Sequence, residues 1–199
     1  MIKTQTFIFV GRSGSGKGTQ LELLKNYIQN IYPNSSIKSI IMGEIFREFF
    51  KKEGYVEDIA RDLTMKQGKF QPNFLTDSLF VNKVIDEIDQ ESFFFFDGYP
   101  RNINQLGLIK ELLLYVRREN FVIINIDVSR ESVKKRMLAR GRGDDTESSV
   151  ESRLDEFDRL VAPMLEEIKN DPSLKYIEVD GEPSPEKIHE DIISKLEIK

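Results

Sequence analysis

Cysteine is absent from this chain, and histidine occurs once, as His189. Disulfides, thiolate metal centres and a histidine-rich metal site are therefore excluded, so no zinc is expected. A chain without cysteine is compatible with a reducing compartment. Long hydrophobic runs are missing too. The first one, Phe7-Ile8-Phe9-Val10, stops at Gly11. That is too short for a signal peptide, and no segment approaches the ~20 apolar residues that cross a bilayer. An excess of positive charge is also lacking: 29 Lys and Arg against 34 Asp and Glu leave a net charge of −5. This argues against a nucleic-acid surface, but not against a small anionic ligand held by a few arginines in one cleft. A cytoplasmic chain that engages neither nucleic acid nor membrane is the expectation. Its 199 residues fit a single domain, 1–199, with a sizeable core and room for an insertion.

What is present is a regular alternation. Five short apolar runs, 6–10, 37–42, 92–96, 121–127 and 175–179, read as strands. Most are unbroken, which suits strands covered on both faces. Helical spacing of apolar residues fills 17–30, 102–118, 129–140, 146–169 and 184–196. The 146–169 segment carries Val150, Leu154, Phe157, Val161 and Leu165 along one stripe. Two more helical patterns, 43–52 and 56–67, separate the second strand from a helix over 73–88 and read as an inserted flap. The alternation predicts an α/β fold, a parallel sheet with helices on both faces.

Directly after the first strand comes Gly11-Arg12-Ser13-Gly14-Ser15-Gly16-Lys17-Gly18-Thr19. Strand, glycine-rich loop and helix start have the spacing of a phosphate-binding P-loop. The glycines let the backbone curl around an anion without Cβ clashes. Successive N–H groups then point inward, and the helix adds its positive N-terminal end. Lys17 brings a full charge to the β- and γ-phosphates. A Gly/Ser turn that merely precedes a lysine would not explain the strand before it or the amphipathic helix after it, with Leu21, Leu24 and Ile28.

The run Phe93-Phe94-Phe95-Phe96-Asp97-Gly98-Tyr99-Pro100-Arg101 is the second signal. The phenylalanines are core. Asp97 falls at the C-terminal end of a strand, where open α/β sheets bind ligands. A carboxylate there suits the Mg²⁺ of a nucleotide, held through water. A turn-forming role before Gly98 explains the aspartate but not Arg101, whose fork matches phosphate oxygens. A third cluster is Arg136, Arg140, Arg142, Asp144, Asp145 and Arg153. A charge run on a helix is ordinarily a solvated face. Here arginines flanked by Gly141 and Gly143 lie beside a P-loop, and they read as a cationic cap steadied by the two aspartates. His189, beside Glu190 and Asp191, reads as a solvated side chain.

Together these residues resemble the adenylate kinase family of nucleoside monophosphate kinases, in its short-lid form. The loop has the family's glycine after the lysine, as Lys17-Gly18-Thr19, and Asp97–Arg101 gives the family's D-G-F/Y-P-R. Arg136, Arg140-Gly141 and Arg142-Gly143-Asp144-Asp145 resemble its lid motif, with Arg153 eight residues further on. The resemblance implies a P-loop NTPase fold with five parallel strands, a helical insertion for the monophosphate at about 42–72 and a truncated lid at about 140–145. It implies a monomeric enzyme acting on small nucleotides, which transfers the γ-phosphoryl group of Mg·ATP reversibly to a nucleoside monophosphate. Gly11, Ser13, Gly14, Ser15, Gly16, Lys17, Gly18, Thr19, Arg136, Arg140 and Pro183 would bind ATP. Met42, Gly43, Arg47, Lys69, Phe70, Gln71, Gly98, Arg101, Gln105, Arg142 and Arg153 would bind the acceptor. Lys17, Asp97, Arg101, Arg140, Arg142 and Arg153 would be catalytic, with Thr19 joining Asp97 on the metal. Glutamine at position 105 favours AMP, because an amide both gives and takes the hydrogen bonds adenine offers.

Some positions depart from the family's pattern. Its flap threonine is Met42, and an apolar wall residue is Gln71. The cap is short, with only Gly141 between Arg140 and Arg142. A stubby cap excludes water poorly, which predicts a leak of ATP hydrolysis without acceptor. Two alternatives stay open: a UMP/CMP kinase, and a nucleotide-binding protein that has lost transfer. A GTP-binding switch is rejected, because Asn82-Lys83-Val84-Ile85-Asp86 is one residue too long for a guanine reader.

Overall fold

A computed structural model describes residues 5–143 and 145–196. Five strands form one sheet: β1 (Thr6–Val10), β2 (Ile37–Ile41), β3 (Phe93–Asp97), β4 (Phe121–Asp127) and β5 (Lys175–Asp180). Their order is β2-β3-β1-β4-β5, and every pairing is parallel. Side chains alternate across a strand, so each unbroken apolar run feeds two cores. Phe7, Phe9, Phe95, Val122 and Ile124 enter one core with Leu21, Leu24 and Ile28 of α1 (Lys17–Ile31). The same core takes Ile188, Ile192 and Leu196 of α9 (Pro185–Leu196). Ile8, Val10, Phe94, Phe96 and Ile123 enter the other, under α4 (Asn73–Glu87) and α5 (Ile103–Tyr115).

Between β2 and α4 lie α2 (Met42–Phe49), α3 (Tyr55–Arg61) and a π-helical turn (Asp62–Lys66). After β4 comes a helical hairpin, α6 (Arg130–Arg140) and α7 (Glu147–Glu156). Gly141 stops α6 in the left-handed region, and Thr146 opens α7 with a reciprocal capping box to Ser149.

The structure corrects several sequence boundaries. The single helix expected over 146–169 is broken by a π-helical turn (Phe157–Val161) before α8 (Ala162–Asn170). Pro163 explains the break: it has no N–H and its ring crowds the carbonyl a turn earlier, so the helix widens there. The break also lets the segment change sides. Val150 and Leu154 pack into the first core, and Phe157, Val161 and Leu165 into the second. Met42 is not the end of β2 but the first residue of α2. The helix expected to reach 118 stops at Tyr115. Arg117 takes a positive φ of 58°, and Arg118 turns inward, donating to the carbonyls of Ser92 and Asp89, both at 2.7 Å. His189 is half-buried rather than solvated, edge-on to Tyr27 with ring centroids 5.9 Å apart. Its helix lies against α1, which removes water from one side of the ring and lowers the imidazole pKa.

Candidate active site

The central strand β1 has neighbours reached by crossovers on both sides, so the crevice past its C-terminal end is the sheet's switch point. Phe9 is in register with Asp97, which brings the end of β3 beside the loop that leaves β1. In that loop a Cβ on Gly11 would lie 2.6 Å from the Ile126 carbonyl oxygen, so only glycine fits. Gly16 caps α1 with φ 96° and no side-chain hydrogen bond, which leaves the first N–H groups of the helix free to meet an anion. Lys17 curls back into the loop and donates to the Gly11 and Arg12 carbonyls, both at 2.8 Å. Burial lowers the Lys17 ammonium to about 8; Asp97 opposes this, and the charges of Arg101 and Arg140 add to it.

Arg101 lies on the other side of Asp97. Its Nε donates to the Gly98 carbonyl at 2.9 Å, and its guanidinium lies over the Phe70 ring, 4.4 Å from the centroid. Burial lowers its pKa, Asp97 opposes this and Arg153 reinforces it. Arg153 and Arg140 meet on one carboxylate. Arg140 grips Asp145 with Nε and Nη2 at 2.9 and 3.1 Å, and Arg153 Nη1 reaches the same group at 2.9 Å. The Asp145 side chain is fully buried. Burial pushes its pKa up, but the Arg140 hydrogen bond and the charges of Arg140 and Arg153 win, and the net shift is downward. The fold thus gathers Lys17, Asp97, Arg101, Arg140 and Arg153 into one electrostatic neighbourhood.

The other predicted residues have varied surroundings. Arg136 donates to the Gly181 carbonyl at 3.0 Å, which places it against the turn that carries Pro183. Arg142 is exposed and makes no ion pair among the described residues. Arg47 is exposed, 3.9 Å from Glu44 beside Gly43. Lys69 and Thr19 are exposed as well. Asp144 lies outside the described residues. Met42 is buried in the core, its Cβ close to where a Cβ on Gly98 would lie, so it packs beneath the turn after β3. The Gln71 amide is engaged inside the flap, donating to the Ala60 carbonyl at 2.6 Å and to the Thr64 hydroxyl. A cleft beside Arg101 is lined by Phe46, Phe70, Gln71, Asn73, Thr76, Gln105 and their neighbours.

Arg12 is a functional residue that the sequence alone does not mark. Its guanidinium donates to the Val128 carbonyl at 3.1 Å and to Asp158 at 2.8 Å, and it covers the Phe157 ring at 4.6 Å. It anchors the phosphate loop to the π-helical turn, and Arg130 binds the other Asp158 oxygen at 2.7 Å. The only sequence signal was a bulky cation in a loop otherwise built of small residues.

Mg²⁺ fits the donor set. One Asp97 oxygen and the Ser15 hydroxyl are buried without a hydrogen-bond partner. An unpaired buried carboxylate oxygen beside a phosphate loop is the hard donor that Mg²⁺ takes, with phosphate and water completing its shell. No group of three or more His, Cys, Asp or Glu that could hold a metal occurs among the described residues. Nor is any helix there long and apolar enough to cross a membrane.

Comparison with known proteins agrees with this geometry. A family model described as adenylate kinase matches residues 9–172. An adenylate kinase of Corynebacterium urealyticum is 31% identical over 96% of this chain and 98% of its own length. One from Prochlorococcus marinus (strain MIT 9515) is 31% identical over 88% and 90%, and one from Oenococcus oeni 30% identical over 91% and 93%. With a family model matched over most of its length and a relative 31% identical over nearly the whole of both chains, this chain is a member of the adenylate kinase family.

Proposed function

We propose that this chain transfers the γ-phosphoryl group of Mg·ATP to AMP and back, so that ATP and AMP give two ADP. The observation that carries this reading is the convergence of Lys17, Arg101, Arg140 and Arg153 around an open nest of main-chain N–H groups. A phosphate oxygen of AMP bonds to the γ-phosphorus as the bond to the β–γ bridging oxygen breaks. No covalent enzyme intermediate is needed, so catalysis is positioning and charge neutralisation. The loop 11–19 holds the donor phosphates. Lys17 leaves the Gly11 and Arg12 carbonyls for the phosphate oxygens. Arg136 and the turn at Pro183 flank the adenine of ATP. Arg47 and Arg101 take the acceptor phosphate, while Arg140, Arg142 and Arg153 steady the group in flight. Gly98 gives the acceptor a close approach, with Phe70 and Gln71 as its wall. Gln105 reads the acceptor base, which favours AMP over UMP or CMP. Asp97, through water, and Thr19 would hold Mg²⁺, which would supply charge neutralisation to the phosphates.

Residues 42–72 then act as the acceptor flap and 140–145 as the lid of a monomeric, cytoplasmic enzyme. A lid this short leaves the phosphates reachable by water, so slow ADP formation from ATP alone is expected. A rate without acceptor no higher than the buffer blank would remove that idea. The functional reading itself is tested by a panel of AMP, CMP, UMP and dTMP against Mg·ATP. AMP is expected to give the highest kcat/KM. Preference for a pyrimidine overturns the acceptor assignment, and no ADP from any acceptor overturns the enzyme.

A further inference from the structure

The Gln105 amide is held in one orientation by neighbours whose chemistry permits no other. Its Oε1 accepts the main-chain N–H of Arg101 at 2.8 Å, and its Nε2 donates to Asp77 Oδ1 at 2.9 Å. Turning the amide over would set its NH2 against an N–H donor and its carbonyl oxygen against a carboxylate, and both contacts would be repulsive. The Tyr99 hydroxyl donates to the same Asp77 oxygen at 3.1 Å. That hydroxyl is fixed in turn, because Tyr99 is fully buried and its ring stacks on Phe80 with centroids 3.9 Å apart. The network ties α4, α5 and the turn after β3 together at the wall of the cleft.

Gln105 is nearly buried but lines that cleft, and its amide keeps some hydrogen-bonding capacity. Its second amide N–H meets Asn73 Oδ1 only at 3.5 Å, the limit of a hydrogen bond, and its oxygen has a lone pair that no described residue takes. A releasable donor beside a free acceptor, both in the amide plane, complements an amino group next to a ring nitrogen, the pair that adenine presents. The opposite amide orientation would present them in reversed order.

We propose that Asp77, steadied by Tyr99, is a positioning residue that sets the orientation of the Gln105 amide and so the preference for an adenine acceptor. The proposal rests on the reading that Gln105 faces the acceptor base. A purely structural Asp77 would hold α4 against α5 and affect stability alone.

The test compares Asp77→Leu, Asp77→Asn, Tyr99→Phe and Gln105→Ala with the unaltered chain, each assayed with AMP and with CMP under saturating Mg·ATP. Leucine cannot accept the Gln105 hydrogen bond. Asp77→Leu is therefore expected to raise KM for AMP about tenfold, the worth of one well-made hydrogen bond, with kcat within about twofold. Its AMP-over-CMP ratio in kcat/KM should fall by about the same factor. Asparagine still offers an oxygen to both donors and should restore AMP kinetics to within about twofold. Tyr99→Phe should fall between the two. Thermal melts accompany every assay, and Asp77→Ala replaces the leucine variant if that chain does not fold. A lowered Tm with unchanged KM and unchanged base preference overturns the role given to Asp77. If Gln105→Ala leaves KM for AMP unchanged, the base-reading role of Gln105 falls, and this inference with it. If Gln105→Ala raises that KM and neither the Leu nor the Ala variant at Asp77 does, the inference alone falls.

Discussion

Replacing Arg153 by alanine is expected to lower kcat by about 10³ to 10⁵, the range set by removing an arginine aimed at a transferring phosphoryl group. The size follows from the number of cations gathered at the site. Lys17, Arg101, Arg140 and Arg153 lie in one electrostatic neighbourhood. A polyphosphate in flight meets them in a site partly closed to water, where each charge counts for more than in solution. The Arg153 side chain is only 11% exposed, and its charge helps to lower the pKa of Arg101, so it lies within electrostatic reach of that arginine. The fold should survive the change, because Asp145 keeps both of its hydrogen bonds from Arg140. A coupled assay for ADP, read beside a thermal melt, separates the two effects. Arg153→Lys should recover only part of the rate, since an ammonium lacks the planar fork. Arg142→Ala is expected to cost a comparable factor with no change in Tm, because that side chain is exposed and unpaired among the described residues. A kcat within tenfold of the unaltered chain for both alanine variants would sink the assignment of these arginines.

The parts of this site that the sequence made legible are those encoded locally. The phosphate loop and the D-G-Y-P-R run are contiguous, and each follows an unbroken apolar strand whose burial on both faces is written in its composition. What escaped depends on distant pairs. Arg12 and Asp158 are 146 positions apart, and nothing in either neighbourhood marks them as partners. Asp77 sits on α4 between Thr76 and Ser78, where nothing local marks it, and only the fold brings the Gln105 amide and the Tyr99 hydroxyl to it. The π-helical turn left one local trace, Pro163, but apolar spacing of three and four continues through it, so periodicity alone reads one helix. Gln71 reads from the sequence only as a polar residue where the family has an apolar wall; the partners of its amide nitrogen, the Ala60 carbonyl and the Thr64 hydroxyl, appear only in the fold.

Asp145→Asn should cost both stability and rate, because one carboxylate holds two guanidinium groups that would otherwise repel each other. The Asp145 side chain is wholly buried and Arg153 nearly so, which makes the loss of its charge the loss of a buried counter-ion. Arg140 keeps 29% exposure and some hydration, so the cost belongs at the lower end of the range for broken buried pairs, about 3 kcal/mol. For a chain of this size that corresponds to a Tm lower by about 6–12 °C. The rate should drop by about 10², because Arg140 and Arg153 lose the shared anchor that fixes their geometry. Acid provides an independent check. The native state holds the Asp145 pKa below its ordinary value of 3.8. A depressed carboxylate stabilises the fold fully above its unfolded pKa, and that contribution drains away as pH falls through the native value. The unaltered chain should therefore lose this increment of stability below about pH 4. The asparagine variant has no proton to take up at this position, so the Tm difference between the two chains should shrink as the pH is lowered from 6 toward 3. A constant difference across that range would mean that Asp145 acts through packing, with its charge contributing nothing to the arrangement of the two arginines.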